Sequence, residues 1–365
     1  MTFHERIQAV LDGETPERVP FMCYDNLLPR GDLELGLRQR GMGLCLRRPV
    51  VWCEYSHVNV DVQAAGDITT ITYHTPAGDL TNRRRNHMGS LPDDASCDLD
   101  GLVKTPDDLK AAIAMVSDAV FHVDASAYTD TVFEIGADGI VSGEGPQPPY
   151  DTTGELAGYR PGMLNAHQTI TNWLYLQEAS PVQFAALLEA LAAQEERRLQ
   201  AVIASPLRLV SLGRIDGQIG PERWRQQVLP FYQRTVPQLQ AAGKICSLHA
   251  HASNLAAYAD LIGKTGVDMV EAITPPPRGD LSLGEARRRW GDKVMLWVNV
   301  SESLFWHGPD WVKSYVQALA FAGGPQGRLI IGCTELGTVG VVDDETESLY
   351  RQGYHAMLDA LGYPR

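Results

Sequence analysis

Ile245-Cys246-Ser247-Leu248-His249 and Val267-Asp268-Met269-Val270-Glu271 are two short apolar runs on either side of a helix-like stretch, and each ends on a side chain able to bind a metal. A β-rich run, a helix and a second β-rich run make the repeating unit of a parallel sheet, because parallel strands cannot be joined by a tight turn. The unit recurs outward from this pair: Leu207 to Leu212 precedes it, and Val294 to Asn299 and Leu329 to Cys333 follow. Between the runs lie helical patterns. Ser180-Pro181 reads as an N-cap with proline in the first turn, after which Phe184, Leu187, Leu188 and Leu191 recur at helical spacing. Trp224, Val228, Phe231 and Tyr232 begin another helix, which Ala241-Ala242-Gly243 stops. Near-continuous β runs imply a sheet buried on both faces, and right-handed crossovers repeated this often close into a (β/α)8 TIM barrel. An open doubly wound sheet is the competing architecture. It is disfavoured because no Gly-rich dinucleotide turn follows a strand: Gly143-Glu144-Gly145 lacks the third glycine and runs into Pro146.

The first 115 residues are less regular. Thr2 to Leu11 is a short amphipathic helix, Arg18 to Met22 is a candidate first barrel strand, and Ile68 to Tyr73, Pro76-Ala77-Gly78-Asp79 and Leu80 to Arg83 form a hairpin flap outside the barrel. Arg83-Arg84-Arg85 in that flap is either a solvated face or a site for an anion, and short charge runs favour the solvated face. With 365 residues, 44% apolar, and no linker-like break in composition, residues 1–365 are expected to form a single domain. A net charge of -14 argues against a general nucleic-acid or membrane-surface partner. No apolar run approaches the ~20 residues that span a bilayer, and Glu5 and Arg6 stand where a signal peptide would be apolar, so a cytoplasmic location is expected. Six cysteines with no C-x-x-C pair read as reduced thiols.

His249 and His251 are one residue apart, so they share a side wherever the chain is extended; with Glu271 and Cys333 they make a four-ligand set of nitrogen, oxygen and sulfur that suits zinc better than magnesium or calcium. Taken singly, each has a plainer reading: a satisfied core histidine, a capping glutamate, a small apolar cysteine. Barrel logic strengthens the set, because catalytic groups come from the C-terminal ends of several strands and His249, Glu271, Asn299 and Cys333 each end a run. Asn299 either touches substrate or bonds a neighbouring loop. Asp216, after a strand, is a candidate for holding a polar substrate group; Glu144, after Gly139 to Val141, is a strand-end acid or a loop carboxylate. His167 lines the mouth or begins a helix, and Glu335 is an alternative oxygen ligand or a partner for a histidine N–H.

The chain resembles the uroporphyrinogen decarboxylase superfamily, and within it the cobalamin-linked methyltransferases. The resemblance rests on Glu5-Arg6 through Gly13-Glu14, Pro16-Glu17-Arg18-Val19-Pro20, Leu229-Pro230-Phe231, Ala242-Gly243-Lys244, His249, Gly266-Val267-Asp268, Glu271 with Pro275 to Asp280, and Glu285-Ala286 to Trp290-Gly291. It implies zinc held by a His-x-Cys motif, a later Glu and a final Cys, which fall on His249, His251, Glu271 and Cys333, with His251 standing where the family has cysteine. It also implies a corrinoid (cobalamin) cofactor carried by a partner protein, and a small methyl donor or acceptor: a thiol, tetrahydrofolate or a methoxy compound. The superfamily's decarboxylases use an Arg-x-x-Gly-Arg motif that is absent here, so metal-independent decarboxylation of an acidic substrate is the second expectation. A non-catalytic binding member of the fold is the third.

Overall fold

The computed structural model describes residues 1–26, 28, 31–86, 96–157, 166–215, 217, 219–250, 252, 254–324, 328–333 and 344–364. Eight parallel strands stand side by side in chain order: β1 (Met22–Tyr24), β2 (Gly43–Arg47), β3 (Gly139–Glu144), β4 (Leu209–Ile215), β5 (Ile245–Ala250), β6 (Met269–Ile273), β7 (Met295–Val300) and β8 (Leu329–Cys333). A parallel bridge between Phe21 and Ile331 brings the last strand back to the first, so the sheet is a nearly closed barrel. Helices cover its outside, among them Pro181–Ala204 after β3, Leu229–Ala241 after β4, Pro309–Ala322 after β7 and Asp344–Ala360 after β8. This is the (β/α)8 architecture expected from the runs of the second half.

Strand alternation sorts the core into two layers. Met22, Cys45, Ile140, Leu209, Ile245, Met269, Met295, Trp297 and Ile330 fill the barrel. Their neighbours, such as Leu44, Val210, Leu248, Val270, Leu296 and Ile331, pack against the helices. The N-terminal end of the barrel is plugged by the helix Phe3–Asp12, whose Phe3, Ile7, Val10 and Leu11 belong to the inner layer. That helix is well defined by its ends. Thr2 and Glu5 form a reciprocal capping box, and Gly13 closes it with φ 80°. The plug also needs Gly43 at the start of β2, because a Cβ there would lie 2.1 Å from the Phe3 ring.

Two N-terminal expectations shift. The first strand runs Met22–Tyr24 rather than Arg18 to Met22, since Pro20 has no N–H to give a ladder and contributes only its carbonyl, to the amide of Ile331. The flap hairpin is present as Ile68–Thr75 and Gly78–Asn86, but it belongs to a four-stranded antiparallel sheet completed by Asn59–Ala65 and Ser96–Asp98. Among the described residues no helix is long and apolar enough to cross a membrane.

Candidate active site at the barrel mouth

β5 and β6 are paired so that His249 lies beside Glu271, both facing the barrel interior at its C-terminal end. The His249 Nδ1 and Glu271 Oε1 atoms are 3.1 Å apart. The same oxygen accepts from the Ser211 hydroxyl on β4 at 3.3 Å and faces the Arg47 guanidinium from the end of β2 at 3.6 Å. Glu271 is 3% exposed. Burial alone would push its carboxyl up, but the contacts with His249, Arg47 and Ser211 outweigh it and hold the group below its ordinary value, so it is ionised at neutral pH. Arg47 is fixed in turn: its guanidinium lies 3.8 Å over the Tyr24 ring, and Tyr24 packs on Trp297 with ring centroids 4.6 Å apart.

Two β-bulges shape the strand ends beside these side chains. In β4 the register shifts between Ser211 and Arg214 around Gly213, whose φ of 61° suits glycine and where a Cβ would lie 2.8 Å from Pro148 and the Tyr232 hydroxyl. In β6 it shifts between Val270 and Ile273 around Ala272, at φ 63° the one non-glycine residue with positive φ among those described. That conformation costs an alanine about 1–2 kcal/mol. The bulges reverse the alternation: Arg214 reaches the mouth, and Ile273 joins the outer layer while Glu271 stays inside. A cavity of about 470 Å³ opens above, lined by Arg47, Glu144, Gln147, Ser211, Arg214 and His249 among others.

Of the side chains expected to share a metal, the structure brings His249 and Glu271 together; His251 lies outside the described residues. Cys333 does not join them. Its strand parity turns it toward the helices, where its thiol meets Met357 at 3.5 Å and neighbours Cys23, and burial pushes that thiol well above its ordinary value. Among the described residues no group of three or more His, Cys, Asp or Glu is arranged to hold a metal. By donor chemistry alone the pair suits zinc, an imidazole nitrogen and a carboxylate oxygen, and supplies two of the three or four protein ligands such a site needs.

Glu144 ends β3 and is exposed in the cavity wall, the strand-end placement of the two considered. Asn299 is 2% exposed inside the barrel, and its Oδ1, like Trp297 Nε1, has no hydrogen-bond partner among the described residues. Both atoms face Gly332, where a Cβ would sit 2.9 Å from Trp297 Nε1 and 3.4 Å from Asn299 Oδ1. Each such orphan costs about 1–3 kcal/mol unless a water or ligand atom meets it. Asp216 and Glu335 fall outside the described residues, and His167 is the second residue of the helix Ala166–Ala179. Arg83, Arg84 and Arg85 pair with Asp100, Asp98 and Asp67, so each charge of the run is met within the hairpin sheet or beside it.

Arg47, Ser211 and Tyr24 were not anticipated. Arg47 has a sequence signal, a basic residue directly after the apolar Leu44-Cys45-Leu46, hidden within a region lacking clear periodicity.

A nearly closed parallel α/β barrel with its polar groups gathered at the C-terminal mouth is the class that fold and site define. No protein-family model and no curated protein matches the sequence. Among solved structures the chain is similar in fold to a methyltransferase from Methanosarcina mazei, with a TM-score of 0.54 and 13% identity over 99% of this chain and 98% of that one.

Proposed function

We propose that the chain is a methyltransferase whose reaction centre is the barrel mouth around His249 and Glu271, with zinc held by these two side chains and His251. The methyl group is exchanged between a corrinoid on a partner protein and a small thiol, folate or methoxy compound. The observation that carries this is the pairing of an imidazole and an ionised, buried carboxylate 3.1 Å apart on adjacent strand ends, under an open cavity. Full-length likeness in fold to a methyltransferase supports the reaction class.

The metal, when bound, would act as a Lewis acid on a thiol or an ether oxygen. The chain's own residues supply the rest. Ser211 and Arg47 hold the Glu271 carboxylate in place, and in the metal-free protein Glu271 orients the ring of His249. Asn299 and Trp297 leave an acceptor and a donor inside the barrel unmatched among the described residues, and Glu144 borders the cavity as a carboxylate able to accept or return a proton.

Metal analysis of the purified protein tests the proposal. About one zinc per chain is expected in the wild type and in Cys333→Ser, and loss of it in His249→Ala and Glu271→Ala. A wild type that retains no zinc when dialysed against it would overturn the metal assignment.

A further inference from the structure

Three arginines border the cavity, and two of them have their charge met away from its floor. Arg48 pairs with Asp25 at 2.9 Å and Arg214 with Glu155 at 2.5 Å. Arg47 differs. Among the described residues its one ion-pair partner is Glu271, through the same Oε1 that faces His249. Nor is it a loose surface side chain, since the Tyr24 ring beneath its guanidinium is packed against Trp297 and is itself buried.

We propose that Arg47 is a tethered cation that competes with a bound metal for Glu271 and so sets how tightly the mouth holds that metal; this rests on His249 and Glu271 being ligands, as proposed above. One carboxylate cancels one positive charge. A divalent ion on Oε1 would stand no more than about 6 Å from the guanidinium, given metal–oxygen bonds of ~2.0–2.2 Å, with three positive charges around a single anionic oxygen pair. The repulsion is screened in part, because Glu271 is buried while the Arg47 side chain is 44% exposed. Affinity in such sites follows the count of charge around the ion. Arg47 therefore keeps the site weaker than its ligands alone would make it, while holding the carboxylate in place when the metal is absent.

The test is a competition titration of metal-free protein with zinc against a chromophoric chelator, with thermal melting to show that each variant is folded. Arg47→Met is expected to bind zinc about three- to tenfold more tightly than the wild type, the range for removing one like charge about 6 Å from a divalent ion in water with and without screening by salt. Arg47→Lys, which keeps the charge, is expected to stay near wild type. Arg48→Met, whose charge is met by Asp25, is expected to change little. Equal or weaker zinc binding by folded Arg47→Met overturns the proposal. A wild type that binds no zinc, or binds it no better than Glu271→Gln does, instead refutes the ligand assignment on which it stands.

Discussion

Replacing Glu271 by glutamine probes the network at its centre. The substitution keeps the shape but removes the charge on the oxygen shared by His249, Ser211 and Arg47. The Arg47 contribution is discounted because that side chain is 44% exposed. What remains is the loss of charge assistance in two hydrogen bonds to a buried carboxylate, about 2 kcal/mol. For 365 residues the unfolding entropy near the midpoint is about 0.8 kcal/mol per kelvin, so the melting temperature of metal-free Glu271→Gln should fall by about 2–3 °C. The pH dependence has a definite sign. A carboxyl held below its ordinary value in the folded state stabilises fully above the unfolded value near 4.5, and that stabilisation is lost as pH falls through the folded one. Melting of both proteins in chelator from pH 7 downward should therefore show a constant gap that closes below about pH 4.5. A variant that melts with the wild type at pH 7, or a gap that widens in acid, would refute the assignment of Glu271 as an ionised, hydrogen-bonded centre.

Other substitutions test the geometry around it. Ala272→Gly should raise stability or leave it unchanged, since relief of positive-φ strain offsets the added chain entropy, whereas Ala272→Val should lower it by at least about 1 kcal/mol in urea unfolding. Gly332→Ala places a methyl 2.3 Å from the Met22 carbonyl and against Trp297 and Asn299; it should cost about 1–3 kcal/mol and lower turnover more than Cys333→Ser does in the same assay. Gly43→Ala, which drives a methyl into the Phe3 ring, should destabilise by a similar ~1–3 kcal/mol while leaving zinc content unchanged, because it loosens the plug at the far end of the barrel.

The later strands were legible because burial on both faces leaves continuous apolar runs, and β5 to β8 lie within two residues of the stretches read as strands. That same property hid which way each residue faces. Cys333 ends its run as His249 does, yet it shares parity with Leu329 and Ile331 against the helices, and an all-apolar strand gives no sign of which parity is inner. The bulges at Gly213 and Ala272 were equally invisible, although the first decides that Arg214 reaches the mouth and the second that Ile273 turns outward. Arg47 went unread because β2 is only five residues long and stands before an inserted four-stranded flap, where no β–α periodicity guides the eye.

Methyl transfer from methylcobalamin, followed by the change in cobalt absorption with a panel of thiols, tetrahydrofolate and methoxy-arenes, tests the central claim most directly. Turnover by the zinc-loaded wild type that falls at least about 100-fold in His249→Ala is the predicted result. Turnover that His249→Ala leaves intact, or none with any member of the panel, would contradict a methyl-transfer centre at His249 and Glu271.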